Sequence, residues 1–131
     1  MRRVIDGDTI ELTDGRLVRY IGIDTPESRR RVGGQWIEDA EPFAAAATKA
    51  NRRLVDGRVI RLEYDVQERD RFGRLLAYVY VDDVMVNAQL LQAGMAQPLT
   101  IPPNVKYAER FRALADEARQ AGRGLWANEI N

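Results

Sequence analysis

The chain of 131 residues is long enough to form one domain with a buried core that needs no disulfide or structural metal. It contains no histidine and no cysteine, which excludes imidazole catalysis, thiolate chemistry and almost every zinc, copper or non-haem iron site. Acidic and basic residues balance at 20 each, so no overall charge attracts nucleic acid. An enzyme of this composition would use carboxylates and guanidinium groups, and a metal would be a hard cation held by oxygen, Ca²⁺ or Mg²⁺.

Arginine supplies 18 of the 20 positive side chains. Its planar guanidinium group suits bidentate recognition of phosphate, but a biased genomic base composition gives the same excess, and both interpretations stay open. No apolar stretch reaches the length of a membrane span, and residues 1–15 carry no hydrophobic signal segment. We therefore expect a protein that does not enter the membrane.

The first third of the chain predicts short strands and then a helix. Residues 3–12 predict a hairpin that bends at Asp6-Gly7-Asp8. The apolar run from Tyr20 to Ile23 predicts a strand that stops before Pro26, because proline cannot donate to a ladder. A helix is predicted to begin near Pro42 and to end at Gly57.

The next segments predict two strands. Residues 58–66 alternate, so we expect a half-buried strand with Leu62, Tyr64 and Val66 on its inner face. The apolar run from Leu75 to Val81 is rich in aromatic and β-branched residues and predicts a central strand.

Two more helices are predicted in the last third. Asn87 is expected to cap a short helix that ends at Gly94, and a longer helix should run from about Tyr107 to Ala121. The three prolines between them predict irregular structure over residues 97–105. Early strands followed by helices indicate an α+β fold, mainly β, such as a small closed or nearly closed OB-type barrel flanked by helices.

Three short clusters carry the polar residues that could do chemistry. Each alone has an ordinary structural interpretation, since Asp-Gly-Asp is typical of a turn and Asp-Thr-Pro-Glu of the start of a helix. Carboxylates at the end of a strand, however, also serve metal and acid–base chemistry. The clusters are Asp6-Gly7-Asp8-Thr9, Arg19 with Asp24-Thr25-Pro26-Glu27, and Arg71-Phe72-Gly73-Arg74.

In this order and spacing the clusters resemble the staphylococcal nuclease (thermonuclease) family. The resemblance covers nearly all of residues 1–131 and implies one domain, a five-stranded OB-fold β-barrel with three helices. It also implies a Ca²⁺-dependent phosphodiesterase that cleaves single-stranded DNA or RNA with little sequence preference. The matching segments are Val4–Ile10, Val18–Glu27, Asp70–Tyr80, Met85–Gly94 and Gly124–Trp126.

The resemblance implies a role for each residue of the site. Asp8 and Asp24 match the carboxylate ligands of Ca²⁺, and the carbonyl of Thr25 matches a third ligand. Asp6 matches a carboxylate just outside the metal ligands, and Glu27 matches the glutamate that orients or deprotonates the attacking water. The other matching residues are Arg19 and Arg74, which would hold the scissile phosphate, and Arg71 and Phe72, which would contact a terminal phosphate.

Three departures from the family pattern affect these expectations. Phe72 stands where the family has a tyrosine, so a hydroxyl donor is lost. Leu99 and Ile101 stand where the family has two tyrosines against the nucleotide base, so we expect weaker stacking. The chain also begins three residues before Val4, which leaves closure of the barrel at this edge an open question.

Two other functions stay open at this point. A non-catalytic OB-fold module could bind nucleic acid or a protein partner, and an OB-type barrel could bind a small molecule or oligosaccharide. The retained carboxylates favour the nuclease. The family further suggests a monomeric enzyme outside the cytoplasm, because a low-calcium compartment would leave such a site unfilled.

Overall fold

The computed structural model describes residues 1–26, 30–32, 35–37 and 43–127. The strands are β1 (Arg3–Asp6), β2 (Thr9–Glu11), β3 (Leu17–Tyr20), β4 (Ile23–Asp24), β5 (Arg30–Val32), β6 (Gln35–Ile37), β7 (Arg61–Glu63), β8 (Leu75–Val81), β9 (Val84–Met85) and β10 (Gln97–Pro98). The helices are α1 (Ala44–Val55), α2 (Val86–Gln92) and α3 (Ala108–Gln120), followed by a 3-10 turn at Gly124–Trp126. The predicted α+β composition with three helices is confirmed.

The main sheet has the strand order β1-β2-β3-β8-β7, with β9 added to β8. All of its pairings are antiparallel except that of β3 with β8, which is parallel and sets Val18 opposite Leu75. Over the residues that the structure describes, β1 and β7 do not pair, so the five-stranded barrel that was predicted to be closed or nearly closed is not closed. The edge strands are short, with four residues in β1 and three in β7, which leaves few backbone groups for closure.

The first hairpin is confirmed, since β1 and β2 pair around the Gly7-Asp8 turn. The strand predicted from Tyr20 to Ile23 is wrong in its bounds, because β3 ends at Tyr20 and the chain turns. Gly22 has a φ of 83°, which glycine adopts readily, and a Cβ there would lie 2.6 Å from the Phe111 ring. After this turn Ile23 starts β4, which pairs with β10 instead of extending the main sheet.

The core lies between the main sheet and the three helices. Strand β8 is the central strand predicted from Leu75 to Val81, and it is buried along most of its length. Helix α3 contributes Phe111, Ala115 and Ala118 to the core. Its bounds are close to those predicted for the last helix. No helix in the described ranges combines the length and the apolar character needed to cross a membrane.

The strand predicted over residues 58–66 shortens to the three residues of β7. Tyr64 and Val66, expected inside, are 37% and 73% exposed. Glu63 and Asp65 turn inward instead, because their carboxylates accept hydrogen bonds from buried and half-buried tyrosine hydroxyls. Polar partners distant in sequence thus override the apolar alternation.

Asn87 does not cap α2, which begins one residue earlier and has no side-chain cap. Its side chain is fully buried. The amide oxygen accepts a hydrogen bond from Val79 N–H at 2.9 Å, and the amide nitrogen donates to the Ile21 carbonyl at 2.8 Å. Asn87 therefore ties α2 to β8 and to the turn that follows β3.

Candidate active site

Asp8 lies in the β1–β2 turn and is only 6% exposed. Its Oδ2 accepts a hydrogen bond from Thr25 N–H at 3.0 Å, and its Oδ1 accepts one from the Thr9 hydroxyl at 3.2 Å. Gly7 allows this close approach, because a Cβ at that position would lie 2.6 Å from the Thr25 hydroxyl oxygen. Two clusters that are well separated in sequence are therefore in contact.

Arg19 on β3 joins the two carboxylates predicted as metal ligands. Its Nη1 lies 3.1 Å from Asp8 Oδ2, and its Nη2 lies 3.5 Å from Asp24 Oδ1. The guanidinium group also donates to the carbonyls of Tyr20 and Ile23, at 3.0 and 3.1 Å. These contacts fix its orientation and place the carboxylates of Asp8 and Asp24 against the same guanidinium group.

Asp6 adds a third carboxylate at the end of β1. Its Oδ1 accepts a hydrogen bond from the backbone N–H of Asp8 at 3.1 Å. Burial, and then the neighbouring charge of Asp8, raise the pKa of Asp6 to about 6. Asp6 and Asp8 thus bring two carboxylates close together, and their like charges repel each other.

Asn51 supports this cluster from helix α1, although the sequence analysis missed it. It is fully buried, its Nδ2 donates to the Asp6 carbonyl at 2.9 Å, and its Oδ1 accepts from the Tyr20 hydroxyl at 2.6 Å. The signal in the sequence is its spacing, since Asn51 lies midway between Ala47 and Val55 on the apolar face of the helix. A polar residue on such a face must find a buried partner.

Arg74 is held in place by Asp70, a second residue whose role the sequence analysis missed. Arg74 Nε donates to Asp70 Oδ2 at 2.7 Å, and Asp70 Oδ1 accepts from the backbone N–H groups of Phe72 and Arg74 at 2.9 and 3.0 Å. Burial opposes ionisation, but the hydrogen bonds hold the pKa of Asp70 below its usual value. Aspartate four residues before an arginine, across a Gly-containing turn, is the signal that could have identified the pair.

Arg19 and Arg74 line the same cavity, which has a volume of about 310 Å³. This is the lower end of the range for small-ligand sites. The predicted phosphate-binding arginines, which lie on β3 and before β8, are therefore brought together.

The rim of this cavity is apolar. Phe72 lines it with a ring that is 69% exposed, and Arg71 Cζ lies 4.8 Å from the centre of that ring. Leu99 and Ile101 also line the cavity and are 38% and 62% exposed. Two guanidinium groups beside an apolar rim suit an anion that is joined to a flat apolar group.

Of the predicted site residues, the structure places all but one in these two connected clusters. Glu27 lies outside the described residues. The side chains and the carbonyl predicted to bind a metal, those of Asp8, Asp24 and Thr25, offer oxygen ligands only, which fits a hard cation. In the described ranges there is no group of three or more acidic side chains that could by itself hold a metal ion.

Comparison with known proteins gives consistent matches over nearly the whole chain. The family model for staphylococcal nuclease homologues matches residues 17–128. A thermonuclease of Staphylococcus hyicus is 38% identical over 129 residues, which are 96% of this chain and 73% of that protein.

Two Bacillus subtilis (strain 168) proteins are also 38% identical, each over 130 residues and 95% of this chain. They are endonuclease YncB, of which the match covers 59%, and the SPbeta prophage-derived endonuclease YokF, of which it covers 42%. The chain therefore spans between about two fifths and three quarters of the length of these relatives.

Proposed function

This chain belongs to the staphylococcal nuclease family, and we propose that it is a Ca²⁺-dependent nuclease that hydrolyses the phosphodiester bonds of single-stranded DNA and RNA. The family match and the endonuclease and thermonuclease relatives support nuclease function. The observation that carries the proposed mechanism is that Arg19 contacts both Asp8 and Asp24 while it lines the cavity that Arg74 also lines.

Arg19 and Arg74 are assigned to the scissile phosphate. A phosphodiester carries one negative charge and gains another as water adds, so the site needs fixed positive charge where the second charge develops. The guanidinium of Arg19 is oriented by two carbonyls, and that of Arg74 by Asp70. Because both groups are already held, they can donate to the phosphate oxygens with little reorganisation.

Asp8, Asp24 and the carbonyl of Thr25 are assigned to the metal, with Asp6 beside them. Ca²⁺ accepts irregular sets of oxygen ligands completed by water, so two carboxylates and one carbonyl are enough protein ligands. Bound Ca²⁺ would supply positive charge beside the phosphate and acidify a neighbouring water. Burial and then the charge of Asp8 raise the pKa of Asp6, and a cation bound nearby would offset the second of these effects.

Glu27 is assigned to the attacking water, on its match to the family motif and its position three residues beyond Asp24. In a chain without histidine, a carboxylate is the natural general base. As the water oxygen bonds to phosphorus, its proton passes to the Glu27 carboxylate. One ester P–O bond breaks, and the leaving oxygen takes a proton from solvent.

Arg71 and Phe72 are assigned to the rest of the nucleotide. Arg71 can bind a phosphate, whereas Phe72 lacks a hydroxyl and can offer only its exposed ring. Leu99 and Ile101 give the base apolar contact without aromatic stacking. We therefore propose that this nuclease binds nucleotides more weakly than a relative with aromatic residues at these positions.

The test is digestion of labelled single-stranded DNA and RNA in Ca²⁺, in Mg²⁺ and in chelator. We expect cleavage only with Ca²⁺, and a rate about 10²-fold lower or worse in Glu27→Gln and in Arg74→Ala. Arg69→Ala is the matched control, because Arg69 is exposed near the same turn and does not line the cavity.

If folded protein cleaved nothing under any condition, the proposed nuclease function would be wrong. A module that binds nucleic acid without cleaving it would then be the favoured function. Cleavage that neither Glu27→Gln nor Arg74→Ala slows would identify a contaminating nuclease instead.

We also propose that the enzyme works outside the cytoplasm, because its Ca²⁺ site would stay unfilled where calcium is scarce. Activity titrated against free Ca²⁺ tests this, and half-maximal activity at cytoplasmic calcium levels would contradict it. The monomeric state stays a prediction.

A further inference from the structure

Helix α1 carries a second positively charged surface, which we call the α1 patch. It surrounds a shallow open groove and has a net charge of +3 in a chain that is neutral overall. All five of its charged side chains are exposed. They are Lys49, Arg52, Arg53, Asp56 and Arg58.

The cations of α1 lie on the face opposite the core. Ala47 and Val55 mark the buried face, and at 100° per residue Lys49, Arg52 and Arg53 fall on the other side. Lys49 is three and four residues from the two arginines, and like charges at these spacings destabilise a helix. Helix α1 contains no acidic residue that would compensate.

The helix dipole accounts for only part of this arrangement. Arg52 and Arg53 lie in the last turn, where positive charge is favourable. Lys49 lies in the middle of the helix and Arg58 lies beyond its end, so neither gains from the dipole.

Within the described part of the chain, the four cations of the α1 patch have no ion-pair partner. Among the side chains that the structure describes, no carboxylate forms an ion pair with any of the four. By contrast, Arg3, Arg16 and Arg74 each lie 2.6 to 2.7 Å from a carboxylate oxygen. The surface is therefore complementary to an anion that the described part of the chain does not supply.

Helix α1 also packs against the candidate active site. The Ala47 Cβ lies 2.9 Å from the position that a Cβ of Gly7 would occupy, and Asn51 donates to the Asp6 carbonyl. Arg52 and Arg53 follow Ala47 by five and six residues, which is about 8 to 9 Å along the helix axis. OB-fold proteins contact about 4 to 16 nucleotides, so one strand can reach both the aspartates and the patch.

We propose that the α1 patch binds backbone phosphates of the substrate strand several nucleotides away from the scissile bond. This inference rests on the proposed function. In a neutral protein, affinity for a polyanion must come from local charge, and the α1 patch supplies it outside the cavity. Phosphate contacts carry no sequence information, so the patch raises affinity for long strands of any sequence.

The test compares two double variants that each remove two exposed helix arginines. Arg52→Gln/Arg53→Gln removes charge from the patch, and Arg110→Gln/Arg112→Gln removes the same charge from α3. Helix α3 is a fair control because its three arginines are balanced by Glu109, Asp116 and Glu117. Binding of a single strand of about 20 nucleotides is measured in chelator, which prevents hydrolysis, and turnover is measured on a trinucleotide in Ca²⁺.

For single strands, the logarithm of the binding constant falls with the logarithm of salt by about 0.7 per phosphate contact. Loss of two contacts should reduce this slope by about 1.4. From 50 to 200 mM salt, wild-type protein should therefore lose about sevenfold more affinity than the patch variant. The α3 variant should match wild type, and trinucleotide turnover should be the same in all three proteins.

Equal salt slopes in the two double variants would overturn the proposal that the α1 patch binds phosphates. The proposed nuclease function would be unaffected by this result. Wild-type protein that binds the long strand through the patch but cleaves nothing would overturn the proposed nuclease function. The proposal that the patch binds phosphates would then still stand. Should Arg52→Gln/Arg53→Gln fail to fold, Lys49→Gln/Arg58→Gln tests the same slope with two other patch cations.

Discussion

Two clusters of carboxylates in this protein have opposite electrostatics. In the candidate active site, burial and the nearby charge of Asp8 raise the pKa of Asp6 to about 6. In a second cluster, the pKa values of Glu63 and Asp65 are below their usual values, although burial opposes this. We call the second group the tyrosine cluster; its members are Glu63, Asp65, Tyr78, Tyr80, Lys106 and Tyr107.

The tyrosine cluster joins β7 and β8 to the start of α3. Glu63 accepts hydrogen bonds from the hydroxyls of Tyr80 and Tyr107 at 2.9 Å and from Lys106 Nζ at 2.6 Å. Asp65 accepts one from the Tyr78 hydroxyl at 2.8 Å. The rings of Tyr78 and Tyr107 meet edge to face at 4.6 Å, so polar and apolar contacts reinforce each other.

The difference lies in what surrounds each carboxylate. Glu63 and Asp65 have enough donors of their own, so their charge stabilises the fold. Asp8 and Asp24 both contact Arg19, and the Asp6 carboxylate lies close to Asp8, so like charges face each other there. Substitutions in the active site should therefore cost activity, and those in the tyrosine cluster should cost stability.

The largest expected effect is that of Arg19→Lys. Lysine keeps the charge but cannot contact both aspartates and two carbonyls in the plane that the guanidinium provides. We expect kcat to fall about 10²-fold or more. Arg16→Lys is the control, because among the described side chains Arg16 forms an ion pair only with exposed Asp14. Activity within a few-fold of wild type would contradict the proposed role of Arg19.

Glu63→Ala should show the reverse behaviour. It leaves two tyrosine hydroxyls and Lys106 without their acceptor, which should lower the free energy of unfolding by about 2 to 4 kcal/mol. Urea unfolding gives this value, and the specific activity of the folded protein should not change. Glu68→Ala is the control, since Glu68 is exposed. A stable but inactive Glu63→Ala protein would contradict the assignment of the tyrosine cluster to stability and of the other cluster to activity.

The same cluster should make the fold sensitive to acid. Hydrogen bonds from Lys106 and the tyrosines lower the pKa of Glu63 against the effect of burial, so the unfolded chain takes up protons at a higher pH than the folded one. The stabilisation is thus complete above about pH 4.5 and is lost as the pH falls further. In urea unfolding from pH 6 to pH 3, Glu63→Gln should lose less stability than wild type. An identical loss would remove Glu63 as a cause.

Local patterns in the sequence predicted much of the fold. The first hairpin, the central strand and the last helix depend on periodicity and turn residues within each segment. The failures involve contacts between distant segments. The predicted strand ends before Gly22, which lies close to the Phe111 ring. Asn87, predicted to be a helix cap, donates a hydrogen bond to the carbonyl of Ile21, 66 residues earlier in the chain. Neither Phe111 nor Ile21 can be identified as a partner from the residues next to Gly22 or Asn87 in the sequence.

The candidate site was predictable only from the resemblance to the nuclease family, because each cluster alone has an ordinary structural interpretation. Asp8, Arg19 and Asp24 were identified in the sequence, and the structure places them in contact. Asn51 and Asp70 were missed since their importance lies in which atoms they hold, a property of the folded chain. An open sheet instead of a closed barrel was likewise not predictable from strand count alone.

The last prediction concerns where the tyrosines lie. Three of the five are in the tyrosine cluster, whereas the cavity rim carries Leu99 and Ile101. Ile101→Tyr would place an aromatic ring on this rim, where Phe72 is also exposed. Stacking on a base contributes about 1 to 3 kcal/mol, and the lower value corresponds to a KM about fivefold lower for single-stranded DNA. The kcat should not change, because no residue assigned to phosphate, metal or water is altered. Val66→Tyr is the control, since Val66 is also largely exposed but does not line the cavity. If both variants kept the wild-type KM, the base would not bind against this rim, and the affinity of the site would rest on its arginines alone.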